Sequence, residues 1–223
     1  MGEAHGVQLV GMLDSPYVRR VAIALLHSGA PFDHRPLSLF RHIEAFAAIN
    51  PALRAPTFVA NDGTVLMESG LILDYVASFT PRLAALTPAD PALFVQSCRL
   101  NGLALAACEK AVQLHYENSL RPPEKQHEPW RARVKLQFVA ALAALETSAG
   151  KTEGWLLGPR LSLADISVAC AYGFARHVMS DPISAEQFPH LDAFCQRAEA
   201  LPEFRAAPPR DGFVAGSPPA EPQ

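Results

Sequence analysis

The sequence predicts two domains, a small α/β domain followed by a larger all-helical one. Three observations predict this. Short β-rich runs alternate with helical patterns as far as Thr80, in the order β-α-β-α-β-β-α. At Pro81 the composition changes, with Pro81, Pro88 and Pro91 in a stretch that has little apolar periodicity. No strand-like run of any strength follows, and the apolar excess is alanine and leucine, which favours helix. The expected division is residues 1–80 for the α/β domain, 81–90 for a linker, 91–207 for the helical domain and 208–223 for a mobile tail rich in Pro, Gly and Ala.

Residues 7–12 form an apolar run suited to a buried strand. Asp14-Ser15-Pro16 follows, then Val18, Val21, Ala22, Leu25 and Leu26 at helical spacing, with Ser15 placed as cap, Pro16 in the first turn and Gly29 as stop. Residues 31–37 are a second strand candidate, and 41–49 a short helix stopped by Asn50-Pro51. Residues 57–60 and 64–67 flank Asn61-Asp62-Gly63, a hairpin signal. The next helix is expected to start at Ser69, its cap. The result is a mixed four-stranded sheet covered by helices.

Past the linker, one long helix is expected over residues 91–118, ended by Arg121-Pro122-Pro123. A second begins near Pro129, with Trp130, Val134, Phe138, Ala141, Leu142 and Leu145 on one stripe and Gly150 as its stop. Ser162-Leu163-Ala164-Asp165 resembles a capping box with Asp in place of Glu or Gln. The helix it opens is apolar almost all round, and a last helix carries Leu191, Phe194, Cys195 and Ala198.

A chain of 223 residues can bury a large core, and its 19 basic against 22 acidic residues give a formal net charge of -3. No basic stripe points to nucleic acid; the adjacent Arg19 and Arg20 read as a solvated helix face. Residues 1–11 lack the long apolar core of a secretory signal, and no stretch reaches the length of a membrane span. Cys98, Cys108, Cys170 and Cys195 have no CxxC spacing and read as buried free thiols of a reducing compartment, so a soluble, cytoplasmic protein is expected. His27, His34 and His42 are spaced against a shared metal site and read as surface or partly satisfied histidines; no metal is expected. There is no Walker loop, dinucleotide-binding glycine pattern or nucleophile elbow.

Three places carry chemistry. Ser15 lies between a buried strand and a helix start, where unpaired N–H groups favour an anion; a plain helix cap is the alternative. Ala55-Pro56-Thr57 takes a proline directly into a β run, as an edge, a turn or a cis bond. Glu68-Ser69 sets a carboxylate and a hydroxyl at a helix start, as first-turn charge or as groups for a ligand's ammonium and carboxylate.

Taken in order, Ser15-Pro16-Tyr17-Val18-Arg19-Arg20-Val21, Asn50-Pro51 through Arg54-Ala55-Pro56, and Glu68-Ser69 resemble the glutathione-binding half of a glutathione S-transferase. Gly154-Trp155-Leu156-Leu157-Gly158 through Ser162-Leu163-Ala164-Asp165-Ile166 is similar to the capping region of a core helix in that family's second domain. The resemblance runs from Val7 to about Phe204 and implies a thioredoxin-like first domain.

It also implies residue roles. Ser15 is similar to the serine that donates to the glutathione sulfur, and Pro56 to the family's cis-proline, with Ala55 offering its backbone to the cysteinyl part. Glu68 and Ser69 match the pair at the γ-glutamyl end, while Arg54 and His42 would face the glycine carboxylate. Met12, Tyr17, His115 and Tyr116 are candidates to line the electrophile pocket. Two departures stand out: Leu53-Arg54-Ala55-Pro56 replaces the usual Gly-Lys-Val-Pro, and no cysteine stands at or beside Ser15. The implied activity is detoxifying conjugation of glutathione, as co-substrate, to small hydrophobic electrophiles by a homodimer, with no nucleic-acid or membrane partner. Glutathione-dependent isomerisation, peroxide reduction, dehalogenation and a non-catalytic glutathione-binding module are the alternatives.

Overall fold

The computed structural model describes residues 6–178, 184–210 and 212–214. The chain forms two compact units, residues 1–85 with 201–223, and residues 86–200.

In the first unit, β1 (Gln8–Val10), α1 (Pro16–Ser28), β2 (Asp33–Arg35), α2 (Ile43–Ile49), β3 (Thr57–Val59), β4 (Val65–Met67) and α3 (Ser69–Ala77) follow one another as predicted. The sheet order is β2-β1-β3-β4, with β1 parallel to β2 and the other pairs antiparallel. The connection from β1 to β2 through α1 is the crossover a parallel pair requires. The hairpin closes where Gly63 adopts φ 84 and the Asp62 carboxylate accepts from the Thr64 N–H at 2.9 Å. Leu9, Val10, Phe58, Val18, Val21, Leu25, Phe46, Ile72 and Val76 form the core between sheet and helices.

Several expectations change. Residues 81–90 are not simply a linker: α4 (Pro81–Ala84) is helical and belongs to the first unit, which ends at Ala85. The helical unit does not run to 207, because α9 (Pro202–Ala206) packs on α1 in the first unit. That packing buries Arg19, and Ser69 of α3 meets Arg20, where the sequence presents a solvated face. Arg19 and Arg20 are each only 2% exposed. The Arg19 Nε donates to the Ala207 carbonyl at 2.8 Å, and its guanidinium lies 5.6 Å over the Phe204 ring. The expected mobile tail begins with ordered chain: Val214 is 2% exposed, while residues 211 and 215–223 lie outside the described residues.

The second unit is helical: α5 (Pro91–Ser119), a 3-10 turn at Pro123–Lys125, α6 (Glu128–Ala149), α7 (Leu163–Val178) and α8 (Pro189–Glu199). α7 packs against α5 and α8, with Ile166, Val168, Ala169, Ala171 and Tyr172 fully buried. Its start is a reciprocal cap. The Ser162 N–H donates to Asp165 Oδ2 at 2.7 Å, the Asp165 N–H returns to Ser162 Oγ at 3.4 Å, and Asp165 Oδ1 accepts from the Leu156 N–H at 2.7 Å. Burial nonetheless raises the Asp165 carboxyl above the usual carboxylate range. Across α7 and α8, burial and then the Asp192 carboxylate push the Tyr172 phenol up to about 12. The four cysteines are free and helical, but Cys98 is exposed, because it lies on the outer face of α5.

Candidate functional site

The strand register gathers four loops at one end of the sheet. Val10 stands opposite both Arg35 and Thr57, and Thr57 opposite Met67. The chain therefore leaves that end into residues 11–15, 36–42 and 68–69, and enters it from residues 53–56. Four strands at about 4.8 Å spacing make a row roughly 14 Å long, enough for an extended three-residue peptide of about 10 Å.

The first loop turns on Gly11. Its φ of 137 suits glycine, and a Cβ there would fall 2.6 Å from Val18 Cγ2 and 3.2 Å from the Ala55 Cβ. This close approach brings the start of α1 beside the second loop. Ser15 is the N-cap of α1, and its Oγ accepts from the Val18 N–H at a long 3.4 Å. The hydroxyl proton has no acceptor among the described residues. Pro16 brings no N–H of its own, and the helix dipole puts its positive end at Ser15.

The second loop is held from inside. Asn50 Nδ2 donates to Thr57 Oγ1 at 2.8 Å, and Thr57 Oγ1 donates to the Arg54 carbonyl at 2.6 Å. The Ala55-Pro56 peptide bond is cis. Ala55 stands just beyond the β1–β3 ladder, and neither its N–H nor its C=O has a partner among the described residues. An extended peptide could pair with both groups as a further strand would.

At the third loop the helix cap is Glu68, where the sequence points to Ser69. Glu68 adopts φ 75, and its carboxylate accepts from the Gly70 and Leu71 N–H groups at 3.0 and 3.3 Å. A left-handed glutamate is an uncommon, strained conformation that favours glycine. Ser69 is therefore the first helical residue and is buried. Its Oγ donates to Glu68 Oε1 at 3.2 Å and accepts from Arg20 Nη1 at 2.8 Å. Arg20 is a site residue that the sequence hides, since a basic residue on a helix carries no signal of burial until its neighbours are known.

The remaining candidates, Met12 apart, are more exposed. His42 Nδ1 accepts from the Ser38 N–H at 3.0 Å, which leaves Nε2 as the protonated nitrogen of the neutral ring. The Arg54 guanidinium is exposed, with no hydrogen bond among the described residues. Arg41, also unforeseen, brings Nη2 to 3.9 Å from the sulfur of buried Met12. Tyr17 is half-buried in the first turn of α1. In the second unit, His115 and Tyr116 lie on α5; Tyr116 lines an open groove of about 500 Å³ with Trp130, Leu120 and Lys125. Among the described residues no group of three His, Cys, Asp or Glu could hold a metal, and no helix is long and apolar enough to cross a membrane.

A mixed sheet in the order β2-β1-β3-β4, with a helix N-terminus and a cis-proline loop side by side, defines a thioredoxin-like domain, joined here to an all-helical unit. The glutathione S-transferase N-terminal domain family matches residues 9–82, and the glutathione S-transferase C-terminal domain family matches residues 128–197. The chain is 30% identical to a maleylacetoacetate isomerase of Pseudomonas aeruginosa, over 85% of this chain and 90% of that protein. A glutathione S-transferase from Methylobacterium radiotolerans, solved with glutathione sulfonate, superposes with a TM-score of 0.84 at 26% identity, covering 90% of this chain and 93% of that one. A glutathione transferase family member from Pseudomonas fluorescens with bound glutathione gives 0.78 at 28% identity, covering 92% and 99%. The chain belongs to the glutathione S-transferase family.

Proposed function

We propose that this protein binds glutathione along the row of loops and conjugates its thiolate to small hydrophobic electrophiles. The observation that carries the reading is Ser15: a hydroxyl at the positive end of α1, with its proton uncommitted. A free thiol titrates near pH 8.5 and is only a few per cent ionised at neutral pH, so stabilising the thiolate by about two units, roughly 2.7 kcal/mol, makes most of it reactive. Ser15 donates to the sulfur, and the helix end adds its partial charge. The serine forms no covalent bond. The thiolate attacks the electrophilic carbon, the S–C bond forms, and a leaving group such as chloride departs with the electron pair.

The other contacts follow the sheet order. The cysteinyl backbone pairs with the free N–H and C=O of Ala55, next to Pro56. The γ-glutamyl end lies over β4 and α3, where its ammonium meets the Glu68 carboxylate. Its carboxylate meets the Ser69 N–H at the helix start and the Ser69 hydroxyl, whose one proton turns to it from Glu68. At the opposite end, Arg54 and the Nε2–H of His42 take the glycine carboxylate, and Arg41 supplies a second cation on that side. Met12 and Tyr17 adjoin the sulfur position.

Exposed apolar side chains on the edge strand and on α3 support self-association. Val65 and Met67 on edge strand β4, with Leu71, Tyr75 and Phe79 on and just past α3, are all exposed, Leu71 by 63%. Exposed apolar side chains at both places, on the edge strand and along α3, favour a two-fold contact between copies of the chain. The four free thiols suit a cytoplasmic setting.

The likeness to a maleylacetoacetate isomerase favours a second reading, in which the same bound thiolate adds to and leaves an unsaturated acid, isomerising its double bond without net consumption of glutathione. Retention on immobilised glutathione followed by assays with a chlorinated nitrobenzene and with a cis-unsaturated diketo acid separates the readings. Conjugation of the first supports the transferase. Turnover of the second at constant thiol concentration supports the isomerase, and no retention defeats both.

A further inference from the structure

His34 sits in the middle of β2, is 2% exposed, and uses both ring nitrogens. Nε2 lies 2.8 Å from the Gly11 carbonyl, and Nδ1 is 3.2 Å from the Val214 nitrogen. A backbone carbonyl can only accept and a backbone N–H can only donate, so the ring is neutral, with its proton on Nε2. The Phe213 ring packs edge-on against the imidazole at 6.3 Å between centroids.

Each end of this bridge has a structural address. Gly11 is where the chain leaves β1 for the Ser15 loop, and its N–H also donates to the Arg35 carbonyl at 2.9 Å. Both backbone groups of Gly11 are thus clipped to β2. Met12, the next residue, accepts from the Ser15 N–H at 3.2 Å. On the other side, the chain after α8 returns along the first unit. Glu203 bonds His27 at 2.6 Å, Phe204 and Ala207 hold Arg19, and Val214 ends on His34. The strap follows α1 from its C-terminal end to the sheet.

We propose that His34 is a positioning residue, and that the returning C-terminal segment, through Val214, holds it so that the Gly11 carbonyl and the Ser15 loop keep the geometry needed at the sulfur. A donor on Nε2 requires an acceptor on Nδ1 in the neutral ring, and Val214 selects that state. The bracing of residues 11–15 stands on its own geometry; its consequence for a bound thiol rests on the glutathione reading above.

The test uses the full chain, Val214→Pro, which removes the N–H donor, and a chain ending at Arg210 in case proline perturbs the fold. His34→Leu and His34→Gln complete the set; the glutamine amide N–H can replace the Nε2 donor. Amide exchange is followed by mass spectrometry, without ligand, in peptides covering residues 11–18 and, as a control, α6. Exchange of the loop peptide should quicken by about tenfold or more in Val214→Pro, the shortened chain and His34→Leu, and much less in His34→Gln, with α6 unchanged. The bound thiol, titrated by its ultraviolet absorbance with glutathione, should shift to higher pH in the first three variants, and kcat/KM near pH 6.5 should fall by more than about threefold, with His34→Gln near the parent. Unchanged loop exchange overturns the brace. Faster exchange with an unmoved thiol titration overturns the positioning role. A parent that binds no glutathione overturns the functional reading, and the exchange experiment still decides the brace.

Discussion

Arg20 Nη1 donates to Ser69 Oγ at 2.8 Å, so a buried guanidinium on α1 holds the first residue of α3. Ser69 Oγ in turn donates to Glu68 Oε1 at 3.2 Å, which carries the tie to the left-handed glutamate. The two helix starts that frame the candidate site are thereby joined through side chains rather than through the sheet alone.

Arg20→Met keeps the apolar stem and removes the charge-assisted donor. The loss should be about 1.5–3 kcal/mol of stability, with glutathione affinity falling about tenfold as Ser69 loses its anchor. Chemical denaturation and calorimetry measure the two effects. Unchanged affinity would show that Ser69 needs no such support.

Glu68→Gln keeps an acceptor for the Gly70 and Leu71 N–H groups, so the cost to the cap should stay below about 1 kcal/mol. The ammonium of the γ-glutamyl end would lose its charged partner, and affinity should fall about tenfold, near 1.4 kcal/mol. Normal affinity together with normal thermal stability would remove Glu68 from the site.

Much of this was legible beforehand, and the limits have physical causes. Strand and helix order followed from period, from Pro16 and Gly29 at the ends of α1, and from the Asn61-Asp62-Gly63 turn. The resemblance named Ser15, Pro56 and Glu68-Ser69, and the register brings the loops that carry them to one end of the sheet. Periodicity could not show that α9 returns to α1, because that contact joins residues almost two hundred positions apart, Arg19 with Ala207. Without it Arg19 looks solvated and His34 looks like one more scattered histidine, and Arg20 looks solvated until α3 is placed beside α1. The cap shifted from Ser69 to Glu68 because φ 75 cannot be read from a glutamate's side-chain chemistry.

Burial lowers the His34 pKa from its ordinary value, with the Gly11 carbonyl partly opposing. Below about pH 6.5 the unfolded chain takes up a proton that the folded ring refuses. This contribution is therefore fully present above that pH and is lost as pH falls toward the folded value, at no more than about 1.4 kcal/mol per pH unit. Thermal unfolding from mildly acid to neutral pH should show a shallower acid slope for His34→Gln than for the parent. Parallel slopes would mean that His34 does not titrate differently on folding.

The exposed apolar side chains of β4 and α3 predict a dimer. Sedimentation at micromolar concentration should give twice the 24.1 kDa chain mass, and Leu71→Glu should yield a folded monomer. A parent that remains monomeric would contradict the assembly.

The most direct test of the central claim is the titration of bound glutathione in Ser15→Ala. Loss of the cap alone costs about 0.5–2 kcal/mol of stability and leaves the sulfur unaffected. If Ser15 donates to the thiolate, the absorbance of the bound thiolate should shift to higher pH by about one unit or more, each unit being about 1.36 kcal/mol. Conjugation near pH 6.5 should then fall more than about tenfold and recover partly at higher pH, while affinity changes much less. A thiolate titration and pH–rate profile that superimpose on the parent's would contradict the account and leave Ser15 as a helix cap.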